Sequence, residues 1–313
     1  MVDRNDVEAA AKLVGERVRR TPVITVRGRD LGLPGELSLK LELHQHTGSF
    51  KPRGAFNRLL QGALPGAGVL AASGGNHGLA VAYAARELGV PAEIFVPVTA
   101  SPVKVQRLSR LGAQVRQVGE HYADALEASS RRAEETGALV VHAYDQPEVV
   151  AGQGTLAREL EQQLDRIDTV LVAVGGGGLI GGIATWFDGG PRVVAVEPAR
   201  IPTLHAGLAA GRPVDIEVGG IAADSLGARR IGGLAFDVAT RTGVRSVLVG
   251  DDDLIRARQL LWSELRVAAE LGGATALAAL LTGAYVPQSG ERVVVVVCGG
   301  NTDPSDLGPP RAH

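Results

Sequence analysis

Thr169-Val170-Leu171-Val172-Ala173-Val174-Gly175-Gly176-Gly177-Gly178-Leu179-Ile180-Gly181 is the stretch whose reading decides the fold. Its first half is apolar without alternation, the pattern of a strand covered on both faces, as in a parallel sheet between helices. The strand runs straight into four glycines and then into a helix-forming segment. Backbone N–H groups left free at such a turn make an anion site, and glycine lets the chain close tightly around the anion. The stretch also satisfies G-x-G-x-x-G through Gly176, Gly178 and Gly181, with Glu197 about 20 residues on at a strand end, which is formally a dinucleotide fingerprint. A cup for one phosphate, a dinucleotide site and a purely structural loop all remain open at this point.

The same pattern extends in both directions. Val69–Ala72, Glu93–Val96, Gln114–Val118, Leu139–His142, Arg192–Glu197 and Arg292–Cys298 read as further short strands, most of them continuously apolar. Gly78–Leu88, Pro102–Leu111 and Ala123–Thr136 carry helical periodicity, with Ser101 expected to cap the second and Pro102 to fill its first turn. The N-terminal segment reads as an amphipathic helix. Strand–helix alternation of this kind predicts an α/β protein with parallel-rich, doubly wound sheets. The Pro-rich end, Pro304–His313, is expected to fray.

Composition removes several function classes. A chain of 313 residues with a net charge of −2 carries no basic field, so neither nucleic acid nor an anionic membrane is expected as partner. The densest apolar run, Val293–Cys298, is far too short to span a bilayer, and the charged N-terminus lacks a signal-peptide core. Cys298 is the sole cysteine, which excludes an intrachain disulfide and fits a cytoplasmic protein. Lysine occurs only at positions 12, 40, 51 and 104 among many arginines.

Three more segments invite chemistry. In Gly48-Ser49-Phe50-Lys51-Pro52-Arg53-Gly54-Ala55, Lys51 precedes a proline at a turn or helix start. Desolvation there would lower the amine's pKa and make it a Schiff-base nucleophile, whereas the plain reading is a surface lysine. Ser73-Gly74-Gly75-Asn76-His77-Gly78 follows a strand and opens a helix, offering free N–H groups and polar side chains, or simply a helix cap. Cys298-Gly299-Gly300-Asn301 ends the last strand and reads as a ligand-facing loop or as a buried structural thiol. Ligands of open α/β sheets bind at the carboxyl ends of strands, where all four segments lie.

Together these segments resemble the fold-type II pyridoxal-phosphate (PLP) enzymes, in the threonine/serine dehydratase and serine racemase branch. Lys40–Ala55 is similar to the family's cofactor-lysine motif almost residue for residue, and Ser73–Gly78 to its Ser-x-Gly-Asn-His loop. His142–Pro147 with Ala151–Thr155 is similar to its interdomain segment, Gly175–Leu179 to its phosphate cup, and Cys298–Asn301 to its pyridine-nitrogen loop. The resemblance implies that Lys51 holds PLP as a Schiff base and removes the Cα proton, and that Phe50 packs near the ring. It implies that Asn76 bonds the ring hydroxyl, that the amides of Gly175, Gly176, Gly177, Gly178 and Leu179 hold the phosphate, and that Cys298 faces the ring nitrogen. Ser73, Gly74, Gly75 and His77 would surround the carboxylate of a small hydroxy-amino-acid substrate. The implied activity is dehydration of L-threonine or L-serine to a 2-oxo acid and ammonia. The implied architecture is a larger PLP-binding domain, residues 1–63 plus 146–313, with a smaller domain, 64–145, inserted, in a homodimer.

Departures sharpen the reading. No regulatory domain follows the last strand, so feedback inhibition by isoleucine is not expected. Relatives that bind a divalent cation pair a glutamate with an aspartate six residues on. Here Glu197 is followed by Thr203, so no metal is expected. Serine racemases carry a second serine where this chain has Gly74, and a polar amide where it has Tyr144, which favours dehydration. Serine racemase and 3-hydroxyaspartate dehydratase remain the alternatives within the family. An NAD-dependent oxidoreductase or a non-catalytic PLP-binding protein would be of another class, and would leave Ser49–Ala55 or an intact Lys51 without purpose.

Overall fold

The computed structural model describes residues 1–307. Ten strands alternate with helices: β1 Val23–Arg27, β2 Glu36–Leu41, β3 Val69–Ala72, β4 Ala92–Val96, β5 Gln114–Gln117, β6 Leu139–Val140, β7 Thr169–Ala173, β8 Arg192–Pro198, β9 Arg245–Val249 and β10 Val293–Val297. They form a six-stranded sheet, β1-β2-β10-β7-β8-β9, and a four-stranded sheet, β5-β4-β3-β6. Every pairing is parallel except β1 with β2, where Val23 lies opposite Lys40.

The inner strands follow from their sequences. All five residues of β7 and of β10 are buried, because helices cover both faces and no polar residue has a wet side to turn to. The covering helices are built to match: in Gly178–Trp186 every residue is buried, and in Leu271–Thr282 every residue from Gly272 to Leu280. The resulting core runs across β2, β10, β7 and β8 and is the largest in the molecule. A second cluster joins β3 and β4 to the helices Asn76–Glu87 and Lys51–Leu59.

Three expectations need correction. β1 and β9 lie at the two edges of the large sheet and were not expected, because their polar positions, Thr25, Arg27, Arg245 and Ser246, break the apolar run used to find strands. β6 stops at Val140, short of the expected His142, because His142 Nδ1 accepts the N–H groups of Tyr144 and Asp145 and turns the chain. Ser101 sits at the cap position ahead of Pro102, but its side chain makes no capping bond. Of the expected frayed end, Pro304–Asp306 forms a short 3-10 turn held by the Asp303 carboxylate, and residues 308–313 lie outside the described residues.

Candidate active site

The carboxyl ends of β2, β3, β7 and β10 meet in one pocket. Its wall includes Phe50, Lys51, Asn76, the run Gly175–Leu179 and Cys298. The contact that sets this up is a single bridge between Ser49 and Gly299, reinforced by the Phe50 N–H donating to the Cys298 carbonyl at 3.1 Å. Two segments about 250 positions apart in sequence, those of Lys51 and Cys298, are thereby placed side by side.

Lys51 opens the helix Lys51–Leu59, with Pro52 in the first turn. Its Nζ donates to the Ala143 carbonyl at 2.7 Å and lies 5.1 Å from the centre of the Phe50 ring. Burial pulls the ammonium down to about 8, against the opposing pull of Cys298 and Glu270. Below this helix sits an ionic cluster in which Lys40, Glu42 and Arg53 are fully buried and Glu159 is slightly exposed. Arg53 grips Glu42 through Nε at 2.7 Å and Nη2 at 2.8 Å, and Glu159 at 2.7 and 2.9 Å, while Lys40 donates to Glu159 at 2.7 Å. Such clusters add little net stability, but they fix one geometry, here that of the turn carrying Lys51.

The glycine loop is close-packed from outside. A Cβ on Gly176 would fall 2.2 Å from Tyr144 Cδ1, one on Gly175 2.9 Å from the Leu226 carbonyl, and one on Gly177 2.5 Å from Ile231 Cδ1. Gly177 also has φ +95°, which L-residues avoid. Only glycines fit, and among the described residues no backbone acceptor takes the N–H of Gly176 or Gly177. A cradle of this kind, opening a nine-residue helix, fits the terminal phosphate of PLP, with the softened amine of Lys51 as second anchor. Cys298 is buried, its thiol donates to the Gly272 carbonyl at 3.5 Å, and burial drives its pKa upward, so it stays a neutral, weak donor.

The expected carboxylate loop adjoins this pocket without lining it, apart from Asn76. Ser73 Oγ accepts the Gly75 N–H at 3.2 Å, and a Cβ on Gly74 would meet only Val96 and Lys104, at 3.5 and 3.7 Å. His77 is buried, with Nε2 held by the Val141 carbonyl at 2.8 Å. Burial drops its pKa to about 3, which leaves a neutral ring with one free nitrogen.

The sequence reading missed Glu270 and Ser225, both in the pocket wall. Glu270 is buried, accepts from Asn76 Nδ2 at 2.6 Å, and is pushed up to about 7 by burial, with the Asn76 hydrogen bond opposing. A lone acid inside the apolar stretch Val267-Ala-Ala-Glu-Leu-Gly-Gly was the available signal. Glu197 is satisfied without a cation: its carboxylate accepts from Leu204 N at 2.8 Å, His205 N at 2.9 Å and Ser246 Oγ at 2.6 Å. Among the described residues no cluster of three or more His, Cys, Asp or Glu is arranged to hold a metal.

Comparison with known proteins places this geometry. The family described as pyridoxal-phosphate dependent enzyme matches residues 14–299. The L-threonine ammonia-lyase of Thermotoga maritima is 36% identical over 308 residues, 97% of this chain and 76% of that protein. The phenylserine dehydratase of Ralstonia pickettii is 38% identical over 294 residues, 91% of this chain and 89% of that protein. The structure of maize serine racemase superposes with a TM-score of 0.90 at 32% identity, covering 98% of this chain and 95% of that one.

Proposed function

The chain belongs to the pyridoxal-phosphate-dependent enzyme family, and from that premise we propose that it removes water from a small β-hydroxy amino acid, L-threonine or L-serine, releasing a 2-oxo acid and ammonia. The observation that carries this reading is a single softened amine, Lys51 Nζ, in the same pocket as the glycine cradle Gly175–Leu179. The kinship with an L-threonine ammonia-lyase and a phenylserine dehydratase supports elimination as the chemistry.

Bound PLP supplies the electron sink that makes the Cα proton acidic and lets the β-substituent leave. The remaining work falls to side chains and backbone of this chain. The amides of Gly175–Leu179 would hold the phosphate, and Asn76 and Phe50, in the same pocket wall, would hold the ring, Asn76 through its hydroxyl. Cys298 would present the ring nitrogen only a neutral thiol, which would leave it unprotonated; a weaker sink suits a reaction whose electrons depart with the leaving group. Ser73, Gly74, Gly75 and His77 receive the substrate carboxylate. Lys51 Nζ, neutral in a sizeable fraction near pH 8, takes the Cα proton. The β-hydroxyl departs as water, and the free enamine that leaves the enzyme takes up water to give 2-oxo acid and ammonia.

The division into residues 1–63 plus 146–313 and 64–145 is part of the proposal, supported by a four-stranded sheet whose strands all fall between 69 and 140. So are a cytoplasmic location, supported by the one buried free cysteine, and a homodimer, supported by the family resemblance. No helix among the described residues is long and apolar enough to cross a membrane. The test is to purify the protein, record its visible absorption band, and assay L-threonine for 2-oxobutanoate and ammonia. Equimolar products are expected. Tight NAD binding without a visible band, or a band without products, would refute the proposal.

A further inference from the structure

Asn301 ends the C-terminal motif, and the reaction as derived leaves it unused. In the structure it is the middle of a hydrogen-bonded chain that starts outside the pocket. Arg107 Nη2, on the helix Pro102–Arg110, donates to Asn301 Oδ1. Asn301 Nδ2 donates to Asn76 Oδ1 at 2.6 Å and to the Thr47 carbonyl at 2.7 Å. Asn76 Nδ2 donates in turn to Glu270 Oε1 at 2.6 Å.

The ends of this chain decide its direction. An amide alone can face either way, since its oxygen and nitrogen are nearly the same size. Arginine can only donate, so Asn301 must offer it an oxygen and turn its NH2 toward Asn76. Asn76 must then accept there and point its own NH2 at Glu270. The seat is cut to size. A Cβ on Gly48 (φ +81°) would fall 2.8 Å from Asn301 Oδ1, and one on Gly299 would fall 2.1 Å from Glu270 Oε1. Two glycines of the sequence motifs therefore make room for this chain.

We propose that Arg107 is a positioning residue for the reaction: its guanidinium, together with the Thr47 carbonyl, clamps the Asn301 amide and through it holds the Asn76 and Glu270 side chains in place at the cofactor pocket. Arg107 and Asn76 lie on helices beside the four-stranded sheet, whereas Asn301 follows β10 of the large sheet and Glu270 precedes the helix Leu271–Thr282 that covers it, so the chain links the two sheets across the pocket. Removing Arg107 leaves Asn301 Oδ1 without its donor, so that only the Thr47 carbonyl holds the outer side of the amide, and takes a cation from Glu270, whose other charged neighbours are Lys51 and Asp224, with the Cys298 thiol beside them. This inference rests on the PLP reading of the site.

The experiment uses the holoenzyme and four variants: Arg107→Met, Arg107→Lys, the isosteric Asn301→Asp, and the double variant Arg107→Met/Asn301→Asp. Arg107→Met is expected to lower kcat about tenfold, equivalent to about 1.4 kcal/mol, with KM for L-threonine changed less than about twofold. The pH midpoint of the visible cofactor band is expected to move by about half a unit. Asn301→Asp keeps an acceptor for Arg107 but loses both Nδ2 donations, so it should lower kcat at least as far and move the band midpoint; Arg107→Lys should recover most of kcat, and the double variant should be no worse than the worse single one. A band midpoint unmoved in both Arg107→Met and Asn301→Asp, or additive losses in the double variant, would overturn the proposal. A wild-type protein with no visible band would instead overturn the PLP reading itself.

Discussion

Lys51 and Glu270 illustrate what a sequence exposes and what it conceals. Lys51 was legible because a lysine ahead of a proline, within Ser49–Ala55, is a local pattern. Desolvation was expected as the cause of its softened amine, whereas the distant segments that bury it could not be read from its neighbours in sequence. Reduction of the holoenzyme with borohydride and peptide mapping should label Lys51 alone. Lys51→Ala should lose the label and all measurable turnover while melting as the wild type does, and a label on Lys40 or Lys104 would refute the assignment. Glu270 was illegible because its significance lies in its contact with Asn76, 194 positions away, not in its neighbours in sequence. Its carboxyl is raised from 4.5 to about 7 by burial, so the folded state favours the protonated form. Its stabilising contribution is complete below about pH 4.5 and is lost as pH rises through 7. The melting temperature of cofactor-free Glu270→Gln should therefore fall less between pH 5 and pH 8 than that of the wild type. Parallel curves would show that Glu270 titrates normally.

The inner strands were legible, as was the edge strand β5, expected at Gln114–Val118; the edges of the large sheet were not. β3, β7, β8 and β10 lie at or near the expected ranges because a strand covered on both faces has nothing polar to interrupt it. β1 and β9 carry solvated residues and were invisible to the same criterion, and no periodicity could show that β6 would end where His142 turns the chain. The glycine loop was read as close-fitting, and the structure gives the reason position by position: Tyr144, Leu226 and Ile231 press on it from outside. Gly177→Ala adds a Cβ at φ +95°, against Ala235 Cβ at 2.6 Å as well as Ile231. The left-handed conformation alone costs an L-residue about 1–2 kcal/mol. The variant should bind PLP several-fold more weakly in a fluorescence titration and melt lower. Unchanged affinity would mean that the phosphate does not depend on this turn.

Across the whole molecule, order along the chain carried most of the information. The lysine motif, the Ser73–Gly78 loop, the glycine cup and the Cys298 loop come at successive strand ends, and the two sheets bring those ends to one pocket. What that order could not convey is the relation between the sheets, including the Arg107–Asn301 contact and the Lys104–Asp224 ion pair. Light scattering should return a mass of twice 32.4 kDa for the expected homodimer, and a monomer would contradict it. The remaining question for the molecule is elimination against racemisation, since kinship extends to both. Racemisation needs a proton carrier on each face of Cα. Lys51 serves one, and Gly74, which has room for a side chain, offers nothing at the place where racemases carry a hydroxyl. Gly74→Ser should therefore fold and raise the D-serine fraction. The most direct test is to incubate the wild-type enzyme with L-serine and follow pyruvate and D-serine in the same sample. Pyruvate with at most a trace of D-serine is the predicted result, and D-serine forming as fast as pyruvate would contradict the account.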